Sequence, residues 1–263
     1  MSPTVRLGAV EYLNARPLVY GLESDASLFV QFDLPSVCAE RLASGQIDLG
    51  LIPTIAYLDR PGDRVVPDVA IASDGPVASV ALFTRRPMRE VRTLALDTSS
   101  RTSVVLARVL CARVFEIAPT YVPHAPDLAA MLASCDAALL IGDPALFVDH
   151  QALSADKVDM GQAWTDLTGL PFVWAFWAGR PDAADQRVVR ALQMARDRGV
   201  AASDAIADTY CAGNPAHQAV ARPYLREHIK YHLPPRALEG LRAYYREAAA
   251  LGLARAGADI EFF

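Results

Sequence analysis

The sequence is short of most features that announce a function. Its 263 residues carry no excess of positive charge: 25 lysines and arginines stand against 30 aspartates and glutamates, a formal net charge of −5. A nucleic-acid binder needs a basic face, so no nucleic-acid partner is expected, although a local cationic pocket for an anion stays open. There are only four cysteines, Cys38, Cys111, Cys135 and Cys211. None forms a C-x-x-C pair, and each sits among apolar or helical neighbours, the pattern of reduced core residues. The five histidines are His124, His150, His217, His228 and His232. His228 and His232 have the i,i+4 spacing that binds metal on a helix face, but no H-E-x-x-H motif surrounds them, so they read as surface residues and no metal is expected.

Long apolar runs are missing too. The two most apolar stretches, AALLIG (137–142) and PFVWAFWAG (171–179), are too short to span a bilayer. The opening MSPTVRLGAV has no apolar core behind a basic patch and does not read as a signal peptide. With the reduced cysteines, these absences predict a soluble, cytoplasmic protein with no membrane partner. The G-x-G-x-x-G, G-x-x-x-x-G-K and G-x-S-x-G signatures are absent. SADK (154–157) matches S-x-x-K but has no S-D-N or K-T-G beside it, so it is a coincidence.

What is present is a chain 52% hydrophobic and long enough for two lobes. Its first part alternates short strands with helices: VRLGAV (5–10), a helix over ARPLVYGLE (15–23) with Pro17 in its first turn, LFVQFDL (28–34), a helix over PSVCAERLASG (35–45), and IDLGLIP (47–53). This βαβαβ series implies a parallel sheet with covering helices. Extended runs follow at 69–74, 79–86 and 93–97. A second βα series then covers a helix near 100–115, a strand at 120–125, a helix near 127–134 and a strand at 137–143. One more strand, FVWAFWAG (172–179), precedes an Ala- and Arg-rich tail (183–263) of helical pattern, broken near Gly213–Pro215 and Pro234–Pro235. The chain leaves one lobe, builds a second, and returns. Two crossing strands, near 79–86 and 172–179, would link the lobes around a cleft. Lobe 1 is expected at 1–85 and 176–263, and lobe 2 at 86–175.

Ligands of open α/β sheets bind beyond the carboxyl ends of the strands, and four strand ends here are polar or small. Glu11-Tyr12-Leu13-Asn14 follows the first strand. SDGPVAS (73–79) contains the turn signal Gly75-Pro76. It reads as a tight hairpin, except that Ser79 opens a crossing strand and can face the cleft. DTSSRTS (97–103) places five hydroxyls (Thr98, Ser99, Ser100, Thr102, Ser103) and Arg101 where a helix begins. Free backbone amides, the helix dipole and hydroxyls together favour an anion. One hydroxyl would be an ordinary N-cap; five make a carboxylate cradle the better reading. Gly142-Asp143-Pro144 ends the fourth strand, where Asp143 is either an N-cap before a proline or a ligand contact. Trp174 and Phe176 alternate on the returning strand, so both face either the cleft or the core.

LGAVEYLNARPLVYGLE, SDGPVASVALFTRR, LALDTSSRTSVVLARVL, ALLIGDPAL and DLTGLPFVWAFWAG occur in this order. Together they resemble the MqnA/MqnD family of menaquinone biosynthesis, and within it the chorismate dehydratases of the futalosine pathway. The likeness spans residues 5–180 and weakens in the helical tail. The sister synthase that makes dihydroxynaphthoate has an acidic turn in place of Tyr12-Leu13-Asn14, which favours the dehydratase. The resemblance implies an α/β, two-lobed fold like the type II periplasmic binding proteins. It implies that chorismate loses water to give 3-[(1-carboxyvinyl)oxy]benzoate, a carbon–oxygen lyase reaction, without cofactor or metal. By motif position it implies that Asn14 and Ser79 are the catalytic pair and that Thr98–Ser103 cradle a carboxylate; Tyr12, Gly142 and Asp143 are the further candidate substrate contacts from their strand ends. Asn14 and Ser79 are poor bases, so the expected base is the substrate's own enolpyruvyl carboxylate, with Asp143 or Glu11 as rivals. Arg16 meets a substrate carboxylate or stays solvated. A carboxylate-binding protein without catalysis, the sister synthase and the sensing domain of a regulator are the competing readings.

Overall fold

The computed structural model describes residues 4–256 and 259–263; residues 1–3 and 257–258, which the first-lobe boundaries include, lie outside the described residues. Two five-stranded sheets organise the chain. In the first, β1 (Val5–Val10) runs parallel between β2 (Leu28–Asp33) and β3 (Leu49–Pro53). Next to β3 lies an antiparallel strand, Phe172–Gly179, and then β4 (Arg64–Ser73). The second sheet repeats the plan with β5 (Val80–Thr84) as its antiparallel strand, in the order β7 (Thr120–His124), β6 (Thr93–Asp97), β8 (Ala137–Ile141), β5, β9 (Asp156–Asp159). Phe172–Gly179 is thus β10. Each sheet contains four strands from its own stretch of chain and one that arrives from the other lobe, the two-lobed architecture with crossing strands.

The lobe boundaries move. Every residue of β5 and of β10 is buried, because an apolar run flanked by ladders on both sides belongs inside a sheet and not between two sheets. β5 pairs wholly within the second sheet and β10 wholly within the first. The chain therefore changes lobes at 74–79 and 169–171, ahead of each crossing strand and not near 85 and 176.

Helices cover the sheets: α1 (Pro35–Ala43), α2 (Thr102–Arg113), α3 (Leu128–Ser134), α4 (Gly142–Phe147) and α5 (Met160–Thr168). The segment expected as a helix over 15–23 is instead two 3-10 turns, Leu13–Val19 and Leu22–Ser24. Pro17 interrupts the backbone ladder and Gly21 turns left-handed at φ 78°. The KVDMGQAW stretch, given no element above, splits into β9 and α5, with Asp159 capping the helix.

The tail forms α6 (Gln186–Ala201), α7 (Ser203–Tyr210), α8 (Pro215–Pro223), a π-turn at Tyr224–His228, and α9 (Pro235–Ala250). It does more than cover the first lobe. The Tyr245 hydroxyl donates to Thr54 O at 2.7 Å in one lobe, and that of Tyr244 to Thr102 O at 2.9 Å in the other. Among the described residues no helix is long and apolar enough to cross a membrane.

Candidate active site

A cavity of about 500 Å³, counting space open to solvent, lies between the lobes at the carboxyl ends of β1, β6 and β8. The first lobe contributes Tyr12 and Asn14 beyond β1, Pro35 at the start of α1, and Trp174 on β10. The second contributes Ser79, Ser100, Thr102, Ser103 and Gly142. Every lining side chain is uncharged.

Tyr12 is extended, with its ring laid across the cleft onto Gly142. Gly142 has φ +63°, and a Cβ there would stand 2.5 Å from the ring. Only glycine suits a position that needs both a left-handed backbone and so close an approach. The Tyr12 hydroxyl lies 3.4 Å from Ser99 Oγ, and burial pushes its pKa up to about 12. Asn14 sits next to the Tyr224 hydroxyl, and its Oδ1 is buried without a hydrogen bond among the described residues. Such an acceptor is uncommon in a folded protein.

Ser79 is fully buried at the start of β5. The Tyr224 hydroxyl donates to Ser79 Oγ at 2.7 Å, and the amide of Gly142 donates to Ser79 O at 2.8 Å. Tyr224 is itself buried, which holds its phenol protonated and therefore a donor. With its oxygen already accepting from Tyr224, the Ser79 hydroxyl has its own proton left to donate.

The hydroxyl-rich turn divides. Ser100, Thr102 and Ser103 line the cavity at the N-terminus of α2, whose first amides lack intrahelical partners. Ser99 turns back, donating to Asp97 Oδ1 at 2.6 Å. Thr98 is exposed. Arg101 reaches across the cleft mouth to Glu40 at 3.0 Å instead of into the cavity. A long cation at a mouth keeps its hydration, whereas short hydroxyls reach inward without exposing charge to an apolar wall. Asp143 also points away: its carboxylate accepts from Leu13 N at 3.0 Å and from the Tyr210 hydroxyl at 2.5 Å. It thereby ties the second lobe to the first and to the tail, and burial pushes its pKa up. Glu11 is exposed. The Arg16 guanidinium donates to Glu11 O at 2.9 Å and lies over the rings of Phe32 (4.3 Å) and Tyr210 (5.1 Å), outside the cavity. Trp174 lines the cavity and donates to Ser73 Oγ at 3.2 Å, while Phe176 packs edge-on against Tyr57 in the core.

Two residues escaped the sequence reading. Tyr224 comes from the helical tail, far along the chain, and only the fold brings it to Ser79. Asp97 ends β6, fully buried, and accepts from Ser99 and from Ile141 N. Its signal was present as an acid closing an apolar strand ahead of a hydroxyl-rich turn.

A family model described as menaquinone biosynthesis matches residues 5–250. The chain belongs to that family. A chorismate dehydratase of Thermus thermophilus is 30% identical over 270 residues, covering 96% of this chain and 97% of that protein. Among solved structures, a protein of Archaeoglobus fulgidus superposes with a TM-score of 0.78 at 17% identity, covering 96% of this chain and 99% of that one. The periplasmic aliphatic sulphonate binding protein SsuA of Escherichia coli superposes with a TM-score of 0.66 at 15% identity, covering all of this chain and 94% of that one. Those two likenesses show the fold alone: this menaquinone-biosynthesis family member has the architecture of periplasmic binding proteins.

Proposed function

We propose that the protein is a chorismate dehydratase, a carbon–oxygen lyase that eliminates water from chorismate to give 3-[(1-carboxyvinyl)oxy]benzoate. The observation that carries this reading is the grouping, in one cavity between the lobes, of Asn14 and Ser79 with three hydroxyl side chains at a helix N-terminus. The similarity to a named chorismate dehydratase over nearly the whole chain supports it.

Chorismate is a dianion. The hydroxyls of Ser100, Thr102 and Ser103 and the amides opening α2 would hold one carboxylate without a counter-cation, as helix N-termini do. The departing hydroxyl and the hydrogen on the ether-bearing carbon lie on one face of the ring, so the elimination is syn or stepwise. That hydrogen is activated through the conjugated ring carboxylate, and donors on this carboxylate stabilise the charge that develops as it leaves. Among the described residues no carboxylate or histidine lines the cavity. Asp143 is turned away and Glu11 is exposed. The base is then the substrate's enolpyruvyl carboxylate. It takes the ring proton, the carbon–oxygen bond breaks, and the proton passes to the departing hydroxide as water, leaving an aromatic dianion. Asn14 and the donor proton of Ser79 orient the hydroxyl and assist its departure. The task is mainly orientation, since aromatisation drives the reaction.

The test is incubation with chorismate, followed by ultraviolet absorbance and identification of the product. Loss of the diene with appearance of the substituted benzoate is expected. A binding protein would leave the spectrum unchanged, and turnover only of a cyclic futalosine-type substrate would assign the sister synthase. In the same assay Asn14→Ala should lose far more in kcat than it changes in KM; an unaltered kcat removes Asn14 from the chemistry.

A further inference from the structure

The backbone leading into Ser79 is strained, and two charged side chains hold it. Ala78 has φ +63°, a left-handed conformation that crowds the Cβ of any residue but glycine. Ser79 N donates to Val77 O at 2.7 Å, closing a three-residue turn around Ala78. Turns of this kind with positive φ are rare and strained. Both polar groups of Ala78 are gripped from β9. Its amide donates to Asp159 Oδ2 at 2.6 Å, and its carbonyl accepts from Lys157 Nζ at 2.6 Å. The Val77 amide also donates to the Asp159 carboxylate, at 3.0 and 3.2 Å to its two oxygens. Neither Asp159 nor Lys157 lines the cavity.

Capping α5 does not account for this arrangement. Oδ1 alone accepts from Gly161 N (2.9 Å) and Gln162 N (3.1 Å) and so completes the cap. Oδ2 is engaged only with the turn. Charge-assisted bonds of this length are among the stronger ones available, and strain held by its surroundings concentrates at functional sites.

We infer that Asp159 is a positioning residue, with Lys157 as its counterpart: together they clamp Ala78 left-handed and so fix the direction in which the Ser79 hydroxyl donates. The inference rests on the catalytic reading of Ser79 proposed above. Asp159→Asn separates its two functions. The asparagine oxygen keeps the helix cap, while its amide nitrogen, a donor, faces the donor amide of Ala78. The expected result is a fall in kcat of about 10- to 100-fold, the scale of a small misplacement, with KM within about threefold. Adding Ala78→Gly, which removes the steric cost of φ +63°, should restore most of the lost kcat. Lys157→Met should lower kcat in the same direction with the cap untouched.

Unaltered turnover in Asp159→Asn, a loss that Ala78→Gly leaves in place, or a loss accompanied by a collapse of the circular-dichroism melting transition overturns the assignment. Ser79→Ala assayed in parallel separates the two levels. If Ser79→Ala loses turnover and Asp159→Asn does not, only the clamp is wrong. If Ser79→Ala keeps full turnover, the reading of the site falls and the clamp falls with it.

Discussion

The two crossings between the lobes perform the same topological task in different chemical ways. Each precedes the antiparallel strand of its sheet, and each passes through a left-handed residue. At the return crossing this is Gly169, φ +69°, with open space where a Cβ would stand. The outward crossing has two, Gly75 at φ +93° and Ala78 at φ +63°, the second held by Asp159 and Lys157. Glycine makes the first turn nearly free of steric cost, whereas alanine makes the second one strained. The return crossing delivers Trp174, which lines the cavity with its indole N–H spent on Ser73 Oγ; the outward one delivers Ser79, whose hydroxyl keeps a proton to donate. The strained residue stands directly before Ser79, the hydroxyl proposed above to assist the reaction, and the unstrained one stands where the chain changes lobes.

The sharpest way to break this comparison is at Ser79 itself. Ser79→Ala should lower kcat on chorismate about 10²- to 10³-fold, the usual consequence of removing one preorganised donor, with a much smaller change in KM. Wild-type turnover would make the outward crossing as inert as the return one. Next in size is Gly142→Ala, because Gly142 donates to Ser79 O and supports the Tyr12 ring. A methyl group there meets the ring across the cleft, so the clash is relieved by opening the lobes. Turnover should fall roughly 10- to 100-fold, and the left-handed alanine should lower stability by about 1–2 kcal/mol. Solution scattering should show a larger radius of gyration; an unchanged radius with full activity contradicts the closed geometry.

Most of the architecture was legible because burial leaves a periodic trace. β1, β6 and β10 match their expected spans, since a strand inside a sheet reads as an unbroken apolar run ended by a turn signal. The Pro17 segment was misread because proline at the first turn fits an α-helix and a 3-10 turn alike. Within the site, Tyr12, Asn14, Ser79, Ser100, Thr102, Ser103 and Gly142 could be picked out, as each follows a strand end. Which way a polar side chain turns was not legible. Thr98 and Arg101 share the motif with Ser100, yet one faces solvent and the other finds Glu40 on the opposite lobe. Tyr224 was out of reach for a different reason: its partner is Ser79, 145 residues earlier, and a buried tyrosine in a helical tail reads as packing.

Tyr224→Phe sharpens the outward crossing more gently. It removes one neutral hydrogen bond to Ser79 Oγ and keeps the ring, so a loss of about fivefold in kcat is expected, the equivalent of roughly 1 kcal/mol. In a Ser79→Ala background the same change should lose most of its effect, what is left coming through the neighbouring Asn14. Additive losses would give Tyr224 a separate contact with the reaction. Asp143→Asn should cost less still, under about fivefold, since the side-chain oxygen still accepts from Leu13 N. A fall of several orders of magnitude with binding intact would make Asp143 the base and end the substrate-base mechanism.

The smallest effect on catalysis belongs to the return crossing. Gly169→Ala places a Cβ at φ +69° in free space, so the backbone alone resists it. The expected cost is about 1 kcal/mol of stability, a drop of a few degrees in Tm, with kcat and KM within error of the parent. Alanine would then stand left-handed at both crossings, its amide and carbonyl held by Asp159 and Lys157 at one and its carbonyl alone by Arg236 at the other. If Gly169→Ala lowered kcat as the Ser79 and Gly142 variants do, the strain at Ala78 would have no special relation to the chemistry. A lower Tm with unaltered turnover would separate a left-handed residue that only shapes the chain from one that aims a hydroxyl.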